Sequence, residues 1–324
     1  MAHTLHRARL ALHTAFGSAL AGDTLFGQLC WALREAAGEG ELLRRLDGYT
    51  DGHPWLVLSD GFPAGHLPRP TLPRRIAEQL APRPADSRSA TARKAARQKR
   101  WLAVRAQGGR LSIDPRLAVD DAEAYGQAPR RQMQAHNTHD RLGGRTGKDA
   151  FAPYGMPQTF HAAGQGIDLY LVVDDQRGTA AEVGGLLTAV GQTGFGRDAG
   201  IGLGKFSVEE IAAVSFVVSD AANAYWTLAP CAPQGQGFSS AASYWQVLTR
   251  FGRHGNIDAC RGTPFKTPVL LAATGAVLVP VAPFTPRLFV GQGIGGDGRL
   301  SKTRPATVQQ GYAPVVGCLL ENVR

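Results

Sequence analysis

The sequence of 324 residues has few cysteines and few acidic side chains. Both shortages narrow the classes of function that it can have. No two of its four cysteines, Cys30, Cys231, Cys260 and Cys318, form a C-x-x-C pair, so neither a zinc ribbon nor a redox motif is indicated. Free thiols suit a reducing compartment, and we expect the cytoplasm. No apolar run could span a bilayer and no signal peptide is visible, so no membrane contact is expected.

Positive charge is concentrated in one quarter of the chain. The net charge is +9. Residues 69–148 hold 18 Lys and Arg against 7 Asp and Glu, whereas the other 244 residues hold 17 against 19. Such a run is often only a solvated surface, but its complete asymmetry favours a polyanionic partner.

The hydrophobic pattern predicts an α+β fold. Alternation from Leu5 to Phe16 indicates a strand, Asp23 and Thr24 fit the start of a helix that ends near Ala37, and Trp55–Leu58 indicates a second strand. Strand, helix and strand recur at Ile167–Val173, 180–190 and 206–208. Together they fit one ferredoxin-like (RRM-like) βαββαβ domain over residues 1–215, with a long insertion at about 63–166.

The remaining segments are an inserted basic region and a second domain. Ser89–Gln107 predicts a basic surface helix, and Gly143–Gly166 predicts a loop or mobile hairpin. Residues 216–324 contain four further strand patterns and indicate a second α+β domain. These strands are expected at Tyr225–Leu228, Pro268–Leu271, Ala276–Val279 and Pro314–Leu320.

Two glycine-rich loops carry the strongest binding signal. Clustered glycines expose backbone N–H groups and let a ligand approach closely, and neighbouring cations suit a nucleic-acid backbone. Lys205 is followed by Phe206, so the first loop is not a P-loop. A flexible turn between helix and strand is the alternative for the first loop. The candidate RNA contacts are Gly194, Gly196, Arg197, Gly202, Gly204 and Lys205 in the first loop, and Gly293, Gly295, Arg299, Lys302 and Arg304 in the second.

A polar cluster at residues 136–148 is the third candidate. Its histidines lack further ligands at a useful spacing, so no metal site is expected. No nucleophile paired with a base is visible, and we expect no cofactor and no catalytic residue. The candidate RNA contacts here are Asn137, Arg141, Arg145 and Lys148. A metal-independent ribonuclease could still use His6, His13, His136 or His139 as its acid or base.

Several segments together resemble a known family. The most specific is Gly22-Asp-Thr-Leu-Phe-Gly-Gln-Leu-Cys-Trp31. The other matching segments occur in the same order as in that family. They are Leu12-His-Thr14, Ala92–Ala106, Asn137–Arg141 with Thr146-Gly147, Gly194–Phe206 and Gly311-Tyr-Ala-Pro314. The chain resembles the RAMP superfamily of type III-A CRISPR–Cas systems, and within it the family of the fourth Csm subunit, which caps the 5′ handle of the CRISPR RNA (crRNA).

The resemblance implies two ferredoxin-like domains, with a β-hairpin thumb inserted in the first. It implies binding of the crRNA 5′ handle, in which His13 takes part, and only indirect contact with target RNA. The implied protein partners are the large polymerase-like Csm subunit and the repeating backbone Csm subunit. Phe151, Tyr154 and Phe160 in the thumb could stack on bases or pack the thumb against its neighbour.

Three hypotheses about function therefore stay open. The first is a non-catalytic crRNA-binding subunit of a type III-A interference complex. The second is a His-dependent, metal-independent endoribonuclease that matures the guide RNA. The third is a scaffold whose basic segment docks an acidic protein. Whether residues 69–131 contact RNA or protein does not follow from the sequence.

Overall fold

The structure, a computed structural model, describes residues 3–73, 75–76, 98–104, 113–147, 151–216, 220–260 and 263–320. The helices with bounds in these ranges are α1 (Gly22–Leu46), α2 (Asp121–Tyr125) and α3 (Ala180–Thr193). The strands of the first half are β1 (His3–Leu12), β2 (Leu56–Leu58), β3 (Phe62–Pro63), β4 (His66–Pro68), β5 (Trp101–Ala103), β6 (Ala118–Val119), β7 (Arg130–His136), β8 (Tyr154–Phe160), β9 (Gly166–Asp174) and β10 (Phe206–Ala213). Those of the second half are β11 (Ala224–Thr227), β12 (Val247–Arg250), β13 (Val269–Ala272), β14 (Val277–Leu278), β15 (Phe289–Gly291), β16 (Ile294–Gly295), β17 (Val308–Gln309) and β18 (Tyr312–Cys318).

The first half is built on an antiparallel sheet in the order β10–β1–β9–β2. Helix α1 connects β1 to β2 and α3 connects β9 to β10, so the main elements follow the predicted β-α-β-β-α-β order. Strand β9 is buried along almost its whole length. Leu29 and Leu33 of α1 and Val183 and Leu187 of α3 belong to the same buried core as β9. Burying each such side chain contributes about 1.5–3 kcal/mol.

Helix α1 is longer than the predicted helix, and it begins differently. Gly38 has φ +87° and interrupts it, but the helix resumes and continues to Leu46. Its N-cap, Ala21, makes no side-chain capping bond. Asp23, expected to cap the helix, is instead buried and forms an ion pair with Arg250, with 2.6 Å between Oδ2 and Nε. The prediction was wrong because the partner lies 227 positions away in the chain.

The second half packs directly onto the first. Its sheet has the order β14–β11–β18–β15. The Gln310 side chain is fully buried and bonds both backbone groups of Leu58, while the Tyr312 hydroxyl donates to the Tyr49 carbonyl at 2.7 Å. Within residues 220–260 and 263–320 no α-helix is present, so this part lacks the helices of a second βαββαβ unit. One apolar core contains residues of both halves.

The insertion contains two small antiparallel sheets. Strands β4, β5 and β6 form the first, and β7 pairs with β8 in the second. The predicted basic helix over Ser89–Gln107 is wrong at Trp101–Ala103, which form β5 between β4 and β6. Most of that segment otherwise lies outside the described residues. The hairpin begins at Arg130, thirteen residues before the predicted loop.

Candidate nucleic-acid interface

The hairpin of β7 and β8 is the most exposed element that carries candidate residues. Its register runs from Arg130 opposite Phe160 to His136 opposite Tyr154. Nearly every residue of β7 is exposed. At its base the hairpin is fixed to the chain that follows β1, because Phe16 and Thr159 exchange two backbone hydrogen bonds of 2.9 Å each. A protruding arm is therefore attached at the end of β1 where Leu12 lies.

The first glycine loop also holds the base of this hairpin. The Arg197 guanidinium donates from Nη2 to the carbonyl of Pro157 in β8 at 2.7 Å. The Arg197 backbone N–H donates to Ser18 Oγ at 3.1 Å, and Gly196 lies against the same serine. Arg197, predicted as an RNA contact, therefore makes an internal contact that ties the hairpin to the loop.

Glycine at position 204 is required by the way the loop closes on itself. Gly204 has φ +72°, and a Cβ there would lie 2.2 Å from the Phe195 carbonyl oxygen. Phe195 is fully buried, and its N–H donates to the Gly204 carbonyl at 2.9 Å. Gly194 packs in the same way against Leu203, whereas Gly202 faces open space. Close packing explains Gly194 and Gly204 without a ligand, whereas Gly202, like Gly200, has no neighbour at its Cβ position.

Two candidate residues meet on the surface beside this loop. His13 and Lys205 are exposed and adjacent, since the His13 N–H donates to the Lys205 carbonyl at 2.9 Å. The Lys205 N–H donates to Thr14 Oγ1 at 2.9 Å, and His13 Nε2 lies 2.9 Å from Ser207 Oγ. A lysine and an imidazole therefore share one exposed edge at the base of the hairpin.

The hairpin itself presents cations beside aromatic rings. Arg130 lies over the Phe160 ring at 5.4 Å, and the His136 and Tyr154 rings stack at 5.3 Å. Directly opposite residues of a ladder share one face, so both pairs lie on the same side of the hairpin. Tyr154 is 48% exposed. This face offers stacking surfaces and positive charge together, which are the groups that hold single-stranded RNA.

The tip of the hairpin adds further charge. Asn137, Arg141 and Arg145 are exposed there, and Phe151 is partly exposed. A backbone bridge between Asp140 and Arg145 closes the turn. Lys148 lies outside the described residues. Sequence reasoning missed two exposed arginines, Arg130 and Arg131 of β7, because it placed the hairpin further along the chain; the adjacent pair of cations before His136 was the available signal.

The second glycine loop packs at the opposite end of the sheet from the first. A Cβ at Gly293 would lie 2.4 Å from the carbonyl oxygen of Tyr49, which follows α1. Gly295 packs against Thr307. The first loop contacts residues that follow β1, and α1 returns the chain to the other end of that strand. The two loops therefore do not form one continuous surface.

Of the cations in this second loop, Arg304 is held internally. Its Nε lies 2.9 Å from the fully buried Asp258, and its Nη1 lies 3.0 Å from Glu39 in α1. The hydrogen bond to Asp258 raises the pKa of Arg304 further. Arg299, whose side chain is 91% exposed, and Lys302 stay on the surface.

The histidines and carboxylates show no assembled catalytic group. His6 lies mid-strand in β1, where burial lowers its pKa. No hydrogen bond joins two of the four candidate histidines within the described residues. The same part of the chain contains no group of three His, Cys, Asp or Glu side chains that could hold a metal ion. No helix in it is long and apolar enough to cross a membrane.

Comparison with known proteins gives matches at the level of structure. No protein-family model and no curated protein sequence matches the chain. A structure of a Csm1–Csm4 cassette in complex with pppApA matches with a TM-score of 0.60 and 16% identity, covering 99% of this chain and 100% of the other. A Csm1–Csm4 cassette with cA3 gives 0.56 and 16% over the same extents. A Csm3–Csm4 subcomplex of the type III-A CRISPR–Cas interference complex gives 0.52 and 11%, covering 96% and 99%.

Csm4 is the component that these assemblies share. The chain has a Csm4-like fold. The resemblance suggested by the short motifs is thereby confirmed over nearly the whole chain, although identity is low. The match extends over 99% of the chain.

Proposed function

We propose that this Csm4-like chain is a non-catalytic, crRNA-binding subunit of a type III-A interference complex, located in the cytoplasm. The observation that carries the proposal is the exposed hairpin of β7 and β8. On it, exposed arginines lie beside aromatic rings. Phosphates bound by arginine give affinity and register, and unpaired bases stack on rings. The repeat-derived 5′ handle is the segment we assign to this surface.

The protein partners follow from the same fold. The matched chains come from assemblies with Csm1 and with Csm3. We assign this chain a large Csm1-like partner and a repeating Csm3-like partner, and only indirect contact with target RNA. A division into two domains near residue 215 remains part of the proposal, and only the first domain has the βαββαβ order of a ferredoxin-like unit.

The absence of chemistry is supported by the separate environments of the histidines. His13 bonds Ser207 at the base of the hairpin, while His136 stacks on Tyr154 toward its tip. General acid–base cleavage of RNA needs groups within hydrogen-bond reach of the same phosphate. With His13 and His136 at different ends of the hairpin, we favour binding over cleavage.

Purified chain should be tested for binding and cleavage together. Labelled RNA carrying a repeat-derived 5′ handle is titrated with protein, with and without EDTA, and a scrambled RNA of equal length is the control. We expect salt-dependent binding that favours the handle, and intact RNA after long incubation. Cleavage that persists in EDTA and disappears in His13→Ala or His139→Ala would establish the ribonuclease instead. Equal binding of both RNAs would leave only a generic RNA-binding subunit.

A further inference from the structure

A cleft of about 570 Å³ opens next to the segment that connects β1 to α1. It lies between that segment, the small sheet of β4, β5 and β6, and the turn before β14 in the second half. Its polar lining includes Asp60, Lys99, Arg100 and Thr274, and Trp101 and Phe62 supply aromatic rings. Clefts that hold small ligands measure about 300–1,000 Å³, so this one is large enough for a single nucleotide.

The Asp60 carboxyl provides the acceptor in this cleft. It accepts the Gly22 N–H at 2.8 Å on one oxygen and the Thr274 hydroxyl on the other. A carboxylate offers about four lone-pair sites, so each oxygen keeps one free. Burial raises the pKa of Asp60 to about 6, which leaves it mostly ionised at neutral pH. The cleft thus contains an anionic acceptor suited to N–H donors.

Cations and an indole ring also line the cleft. Lys99 is exposed, and the Arg100 side chain is 57% exposed although it pairs with Asp121. The Arg100 guanidinium lies 5.4 Å from the centre of the Trp101 ring. Positive charge beside an aromatic surface, with a carboxylate in the same cleft, matches the phosphate, the base plane and the amino edge of a nucleotide.

A continuous row of rings connects the cleft to the hairpin base. Trp101 contacts Tyr125 with ring centres 6.4 Å apart, and Tyr125 contacts His161 at 5.6 Å. His161 in turn contacts Phe16 at 6.1 Å, and Phe16 is the residue that anchors the hairpin through Thr159. The cleft is therefore linked to the base of the hairpin through packed rings.

We propose that this cleft receives one nucleotide with an amino-bearing base: adenine, guanine or cytosine. The amino group donates to Asp60, and the phosphate lies toward Lys99 and Arg100. The proposal rests on the RNA-binding function proposed above, because it takes the nucleotide in the cleft to be part of the bound RNA strand. Uracil fits less well, because carbonyl oxygens flank its single N–H and face the carboxylate.

The experiment uses short labelled homopolymers of adenosine, cytidine and uridine with the full chain. We expect the parent to favour the adenosine and cytidine polymers over uridine by about tenfold, the size of one charged hydrogen bond. Asp60→Asn should remove that preference without weakening uridine binding, since an amide still accepts from Gly22 but turns a donor toward the ligand. Lys99→Gln should weaken all three polymers alike.

Free nucleotides separate this proposal from the general function. AMP and UMP are tested as competitors of labelled AMP, with Thr274→Val as a second, milder variant should Asp60→Asn fail to fold. If the chain binds RNA with a base preference that neither variant changes, the proposed nucleotide site in the cleft is refuted. The proposed RNA-binding function is then still supported. Binding of AMP without RNA binding would retain the cleft as a nucleotide site and overturn the function. If neither AMP nor RNA binds, both proposals fail.

Discussion

Removing positive charge from the hairpin tip should change how RNA binding depends on salt. Arg141 and Arg145 are both exposed at the tip. Replacing both with Gln keeps side-chain length and polarity and removes two positive charges. If each arginine contacts one phosphate of single-stranded RNA, each accounts for about 0.7 of the slope of log K against log salt. The double variant should therefore lower the slope by about 1.4.

The loss of affinity follows from that slope. If binding at 1 M salt is unchanged, the two contacts raise log K by about 1.15 at 0.15 M salt, so the double variant should weaken Kd about 14-fold there. At about 0.05 M salt the same two contacts raise log K by about 1.8, so the double variant should weaken Kd about 65-fold. The effect should thus grow as salt is lowered, and this growth distinguishes phosphate contacts from a loss of shape.

Fluorescence anisotropy at several salt concentrations measures both quantities. The matched control removes two charges elsewhere, with Arg44→Gln and Arg287→Gln. Arg44 forms a solvent-screened surface pair with Glu41, and Arg287 is exposed in the second half. An unchanged slope in the tip variant, or an equal change in the control, would refute the assignment of RNA to the hairpin.

Three further predictions concern internal contacts. Arg197→Ala removes the hydrogen bond to the Pro157 carbonyl. It should speed amide hydrogen exchange in β7 and β8 while β9 stays protected. If exchange in the hairpin is the same in the variant and the parent, the loop does not hold the hairpin. Arg304→Ala removes one partner of buried Asp258 and should lower the free energy of unfolding by up to about 3 kcal/mol in urea titrations. An unchanged free energy of unfolding would contradict the pairing. Because the folded-state pKa of Asp60 is raised to about 6 from 3.8, the folded chain binds a proton before the unfolded chain does. Stability should rise by at most about 3 kcal/mol as pH falls from about 6 to about 4, and Asp60→Asn should abolish that rise.

The first sheet could be predicted because its strands and helices bury one regular face. The alternation in β1, the apolar run of β9 and the spacing of Leu25, Leu29 and Leu33 in α1 each specify an element locally. The capping box of Thr179 and Glu182 gives α3 an equally local start. Most of the second half could not be predicted so well, because its strands are short and their pairing joins distant segments.

The glycine loops show where local patterns mislead. Both were correctly identified as unusual backbone, yet Gly204 and Gly293 are required by contacts with Phe195 and Tyr49. A glycine that closes a turn has the same sequence signature as one that admits a ligand. Only the neighbouring chain, brought there by folding, distinguishes the two.

The sequence by itself determined the α+β elements, the uneven charge and the short motifs that led to the Csm4-like fold. The tertiary structure alone decided what each cation does. Arg250 and Arg304 neutralise buried carboxylates of Asp23 and Asp258, and Arg197 holds the hairpin, whereas Arg141 and Arg145 stay exposed at its tip. A charge buried without a partner costs several kcal/mol, so pairing in the core takes precedence over binding at the surface. Which arginines are paired depends on contacts between distant segments, and local sequence does not encode those contacts.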